Sequence, residues 1–103
     1  MEKFRGILKE LIANAEMGTA DNIDFILDKL SADSSFAMTR YVDFALSLVK
    51  NPEGIKRLEF YQFHGSLIQR NYCSLFFNRR GDWLIVKKAY EKGLIDEVQA
   101  FAR

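Results

Sequence analysis

His64 and Ser66 stand two residues apart, and Asp82 follows further along the chain. These are the residue types of a nucleophilic triad, in which the imidazole takes the hydroxyl proton and the carboxylate orients the ring. Catalysis would need all three to converge beside an oxyanion site, and no Gly-x-Ser-x-Gly elbow surrounds Ser66. A histidine at a helix end followed by a capping serine accounts for the same residues. One His and one Cys cannot supply the four N/S ligands that zinc normally takes, and no acidic run has the loop spacing of a calcium site. The chain therefore reads as non-catalytic, with no cofactor and no metal.

The segment with the most capacity for chemistry is Gln69-Arg70-Asn71-Tyr72 through Arg79-Arg80, continued by Trp83, Lys87 and Lys88. It interleaves cations, amides and aromatics, and Arg, Tyr and Trp are enriched at interaction hot spots. A groove lined by Arg70, Asn71, Asn78, Arg79 and Lys87 would suit an acidic peptide or a phosphate. The candidate partner-binding set is Arg70, Asn71, Asn78, Arg79, Arg80, Trp83, Lys87 and Lys88. The competing reading is a solvated face whose arginine stems cover apolar surface.

Net charge supports that choice of segment. The total is +1, but residues 1–55 carry six Lys/Arg against nine Asp/Glu, and residues 56–92 carry eight against three. Such a split steers an acidic partner to the C-terminal half. A protein or acidic peptide is the expected partner. The alternative is a nucleic acid, held by Arg70, Arg79, Arg80, Lys87, Lys88 and Lys92 with Tyr72 or Trp83 stacking on bases. A homodimer, acidic half on basic half, is a further option.

Cys73 is the only cysteine, which rules out an intrachain disulfide and suits a reducing compartment. The start, Met1-Glu2-Lys3-Phe4-Arg5, lacks the apolar core of a signal peptide. No apolar run approaches the roughly 18–20 residues that span a bilayer. The expected location is the cytoplasm, away from membranes.

Helices must position these residues. The 49% hydrophobic and 28% charged composition of the 103 residues is that of one globular domain. Phe4, Ile7, Leu8, Leu11, Ile12 and Ala15 make a helical stripe that Gly18 stops, with Thr19 or Asp21 capping the next helix. Ile23, Ile26, Leu27 and Leu30 follow. A third helix is expected from Phe36 to Lys50, apolar over so much of its circumference that it should be central. Asn51-Pro52-Glu53 restarts the chain as cap, first helical position and dipole complement.

The fourth helix carries Ile55, Leu58 and Tyr61, and His64-Gly65-Ser66 breaks or kinks it. Leu67, Ile68, Tyr72, Leu75 and Phe76 are the expected stripe of the next helix, which Gly81 ends. Trp83, Val86 and Tyr90 give the face of a sixth helix ending at Gly93. A short helix over Asp96–Ala102 is expected to dock Val98 and Phe101. The spacing predicts one all-α domain, residues 1–103, of about six or seven short helices in antiparallel pairs. They would form a bundle or a short helical-hairpin, solenoid-like arrangement.

Residues 70–93 resemble one tetratricopeptide-type hairpin. Gly81-Asp82-Trp83 occupies the turn, Phe77 precedes it, and Tyr90 sits at the aromatic position of the second helix. Arg70, Cys73, Ser74 and Gly93 depart from the pattern, and no second copy recurs at a fixed period. The resemblance implies a binding scaffold rather than an enzyme. A helix-turn-helix ending in glycine explains the same residues without kinship.

Overall fold

Glycine and small polar residues punctuate the chain where the hydrophobic periodicity lapses, and the computed structural model, which describes residues 6–103, follows that punctuation. Its elements are α1 (Gly6–Met17), α2 (Ala20–Leu27), α3 (Phe36–Leu46), α4 (Pro52–His64), α5 (Leu67–Arg79), α6 (Trp83–Glu91) and α7 (Glu97–Phe101). No strand occurs among the described residues, so the fold is all-α. Phe4, expected to open the first stripe, lies outside the described residues. Two compact units are distinguished, dividing between Arg57 and Leu58.

In the first unit α1, α2 and α3 pack on one another. Gly18 follows α1 at φ +66°, a left-handed conformation that side chains disfavour, and its N–H donates to the Asn14 carbonyl at 2.9 Å. Thr19 then caps α2. Its hydroxyl accepts from the Asn22 N–H while the Asn22 side chain accepts from the Thr19 N–H at 3.0 Å, a reciprocal box that satisfies two orphan donors. The Asn22 side-chain Nδ2 also donates to Asn14 Oδ1 at 2.8 Å, tying α2 to α1. Leu11, Ala15, Ile23, Ile26, Leu27, Val42, Ala45, Leu46 and Val49 form the core.

The first turn of α4 locks onto the α1–α2 junction. Asn51 accepts from the Glu53 N–H and donates to the Met17 carbonyl, both at 3.0 Å. Glu53 accepts the Ala20 N–H at 2.8 Å, and Arg57 pairs with Asp24 at 2.8 Å. Gly54 is buried against the Gly18 carbonyl, where no Cβ fits.

The expectations for α3 are corrected twice. The helix ends at Leu46 rather than Lys50, because the chain tightens into i−3 bonds (Leu48 to Ala45, Val49 to Leu46) ahead of Pro52, which disfavours helix in the residue before it. Nor is it central: Val42, Ala45, Leu46 and Val49 are buried, while Phe36 is 76% exposed and Tyr41 and Phe44 are also exposed. A helix apolar all round offers two stripes, and the unit uses one.

In the second unit α5, α6 and α7 pack mutually, and the later turns of α4 belong to the same unit. Gly65 does break the chain. Ser66 caps α5 in a second box, its N–H donating to Gln69 Oε1 at 2.8 Å and its hydroxyl accepting from the Gln69 N–H. Gly81 closes α5 at φ +83° in a Schellman turn, with Asp82 N–H on the Phe77 carbonyl and Gly81 N–H on that of Asn78. Leu58, Cys73, Phe76, Phe77, Val86, Ala89 and Ile95 form the core, and Gln62 and Ser74 are buried with them. Gln62 Nε2 donates to Ser74 Oγ at 2.9 Å and to the Arg70 carbonyl at 3.2 Å, which offsets part of the cost of burial, while Gln62 Oε1 is buried without a hydrogen-bond partner.

Three stripes differ from expectation. On α5 the buried face is Cys73, Phe76 and Phe77, and Leu67 is exposed. On α6 it is Val86 and Ala89, which leaves Trp83 and Tyr90 exposed. On α7 nothing is buried: Val98 and Phe101, expected to dock, are 73% and 76% exposed, and Ile95 ahead of the helix is buried instead.

Candidate functional site

Four residues on one face of α6, Trp83, Lys87, Tyr90 and Glu91, look across a groove toward α7. The i, i+4, i+7 spacing of the first three puts them on one side of the helix. Ala100 and Phe101 of α7 and its C-terminal neighbour Arg103 line it from the other side, and Asn78 at the end of α5 completes the lining. The volume is about 520 Å³. Three large aromatic rings line this one concavity while remaining 56% (Trp83), 41% (Tyr90) and 76% (Phe101) exposed. Lys87 and Arg103 set two cations beside them, and Glu91 a single carboxylate.

Hydrogen bonding holds α7 in place, since the helix buries no side chain. The Asn78 side-chain amide, 5% exposed, donates to the carbonyls of Ala100 at 3.1 Å and Ala102 at 2.9 Å. Asp96 caps the helix by accepting the Gln99 N–H at 2.8 Å.

The residues picked from sequence separate into groups. Asn78, Trp83 and Lys87 come together in the groove. Arg70 does not join them. Its Nε donates to the Leu94 carbonyl at 2.7 Å and its Nη1 to the Gly65 carbonyl at 2.8 Å, so the guanidinium joins the segments that follow α4 and α6. Asn71 is half-buried, its Oδ1 shielded from solvent and without a hydrogen-bond partner. Arg80 pairs with Asp82 at 3.1 Å and lies over the Phe76 ring at 5.2 Å. Arg79 and Lys88 are exposed and do not line the groove.

Tyr90 and Phe101, whose helical spacing reads as core, line the site instead, together with Arg103, which carries no periodic signal. The Trp83–Lys87–Tyr90 spacing was the available signal.

The triad-type residues have local duties. The His64 ring lies 4.7 Å from that of Phe60, Ser66 caps α5, and Asp82 accepts from Arg80. Cys73 is fully buried, and desolvation pushes its thiol far above the ordinary range, the opposite of a reactive thiolate. Among the described residues no three His, Cys, Asp or Glu side chains gather as a metal site requires, and no helix is long and apolar enough to cross a membrane.

Comparison with protein-family models, with curated proteins and with solved structures gave no match for this chain. The likeness of residues 70–93 to a tetratricopeptide hairpin thus rests on a helix-turn-helix whose turn carries Gly81.

Proposed function

We propose that this chain is a non-catalytic protein-interaction module whose α6–α7 groove receives a short acidic, apolar segment of a partner protein. The observation that carries the reading is the convergence of Trp83, Tyr90 and Phe101, each substantially exposed, on one groove flanked by Lys87 and Arg103. Leaving such rings in water forgoes roughly 25 cal/mol for every Å² of apolar surface. A partner that covers them recovers that energy, and aromatic side chains in a pocket are the usual anchors of an interface. The two cations select the sign of the partner's charge.

A nucleic acid suits the groove less well. Glu91 stands in it, Arg70 is withdrawn into the unit, and residues 58–103 carry only seven Lys/Arg against five Asp/Glu. Base stacking on Trp83 remains the feature in its favour.

Trp83 is the sole tryptophan, so its fluorescence reports on the groove directly. The test is a titration of the full chain with a capped leucine–glutamate peptide, and in parallel with a thymidine oligonucleotide. Saturable change with the peptide, weakened in a Lys87→Glu/Arg103→Glu variant, is the expected result. Peptide binding that ignores the variant, or binding of the oligonucleotide alone with steep loss in salt, overturns the proposal.

A further inference from the structure

Trp83 belongs to two concavities. The second, about 330 Å³, is lined by Phe77, Trp83, Leu84 and Ile85, with Glu59 from α4 and Asp82 supplying its charge. Its sign is opposite to that of the α6–α7 groove, where Lys87 and Arg103 stand in the majority. Leu84, 65% exposed, extends the apolar surface on this side. Asp82 already accepts from Arg80 at 3.1 Å, so the exposed Glu59 is the stronger local attractor for a cation.

We infer that the partner segment is bipolar: its acidic part lies in the α6–α7 groove, and a basic residue passes Trp83 into the second concavity. This rests on the α6–α7 groove being the binding site. A guanidinium or ammonium there enters a concavity lined by both Trp83, the aromatic residue type that attracts cations best, and the Glu59 carboxylate. A wholly acidic segment would meet repulsion from Glu59 on crossing Trp83, and a wholly basic one would meet it from Lys87 and Arg103. The two grooves therefore specify the order of charges along the segment as well as their sum.

Three capped peptides on one leucine–alanine framework test this with the full chain at low ionic strength. One carries glutamate in both halves, one glutamate then arginine, and one arginine in both. Affinity is read by Trp83 fluorescence and by calorimetry. The bipolar peptide is expected to bind about threefold more tightly than the acidic one, the scale of an exposed ion pair. In Glu59→Gln that ratio falls to one, and in Glu59→Asp the preference is retained. Circular dichroism verifies that both variants keep their helices. Equal affinity of the bipolar and acidic peptides, or a preference that survives Glu59→Gln, overturns the inference and leaves the groove reading standing. If none of the three peptides binds, the groove reading falls and this inference with it.

Discussion

Arg70 and Leu94 are joined by a 2.7 Å hydrogen bond from the guanidinium Nε to the main-chain carbonyl oxygen, across 24 residues of sequence. The same side chain donates to the Gly65 carbonyl at 2.8 Å, so one cation satisfies the chain just beyond α4 and just beyond α6. Charge-assisted bonds of this kind are worth more than neutral ones. Arg70→Ala should lower stability by about 1.5–3 kcal/mol, the range for lost hydrogen bonds to a charged group. Arg70→Lys should recover only part, because an ammonium on a flexible stem cannot reproduce the planar fork. Urea denaturation reads both, and an unchanged midpoint in Arg70→Ala would refute the strut.

Asn78 gives a local counterpart. Its amide is the side-chain link from α5 to the carbonyls of Ala100 and Ala102, and α7 has five residues, none buried. A helix that short has little stability of its own. Asn78→Ala should cost about 1–2 kcal/mol for the lost bonds and the vacated space. Its main mark should be faster hydrogen exchange at the Ala100 amide, which donates to the Asp96 carbonyl, together with weaker peptide binding in the groove. Protection at Ala100 equal to wild type would show that something other than Asn78 holds the helix.

Gly54 faces Gly18 so closely that an added methyl would overlap the Gly18 carbonyl oxygen and crowd Val49 Cγ1 at 3.2 Å. The obstacle on one side is backbone and cannot rotate away. Gly54→Ala should therefore destabilise the first unit by about 2–3 kcal/mol, as overpacking does, although alanine favours helix by about 1 kcal/mol over glycine. Thermal melting gives the sign, and a raised midpoint would mean that α4 can shift.

Cys73 predicts a dependence on pH. Burial holds the native thiol neutral, with a pKa well above its unfolded value, whereas the unfolded thiol ionises near pH ~8.5. The folded state thus binds more protons in alkaline solution. The thiol's contribution is intact below the unfolded pKa and declines as pH rises beyond it, by up to about 1.4 kcal/mol per pH unit. Cys73→Ala should lack that alkaline slope. A thiol-specific disulfide reagent should react with wild type only as fast as the unit opens, and rapid native labelling would contradict the burial.

The order of the helices and most of their ends were legible because local chemistry writes them. Thr19 with Asn22, Ser66 with Gln69, Asn51 before Pro52, and Gly18, Gly81 and Gly93 at positive φ act over four or five residues, whatever the rest of the chain does. The inward stripes of α1 and α2, with Leu11, Ala15, Ile23, Ile26 and Leu27, were legible as well, whereas those of the later helices were not. α3, α5 and α6 each offer more than one apolar stripe, and neighbouring helices buried Val42, Phe77 and Ala89 while leaving Phe36, Leu67 and Trp83 in solvent. The types of residue in the candidate site could be read, but their roles could not. Arg70 and Asn78 look like surface contacts in a linear sequence, and only long-range packing brought the Leu94, Ala100 and Ala102 carbonyls within their reach. Periodicity constrains a helix along its own axis, whereas rotation about that axis is settled by whatever packs against it.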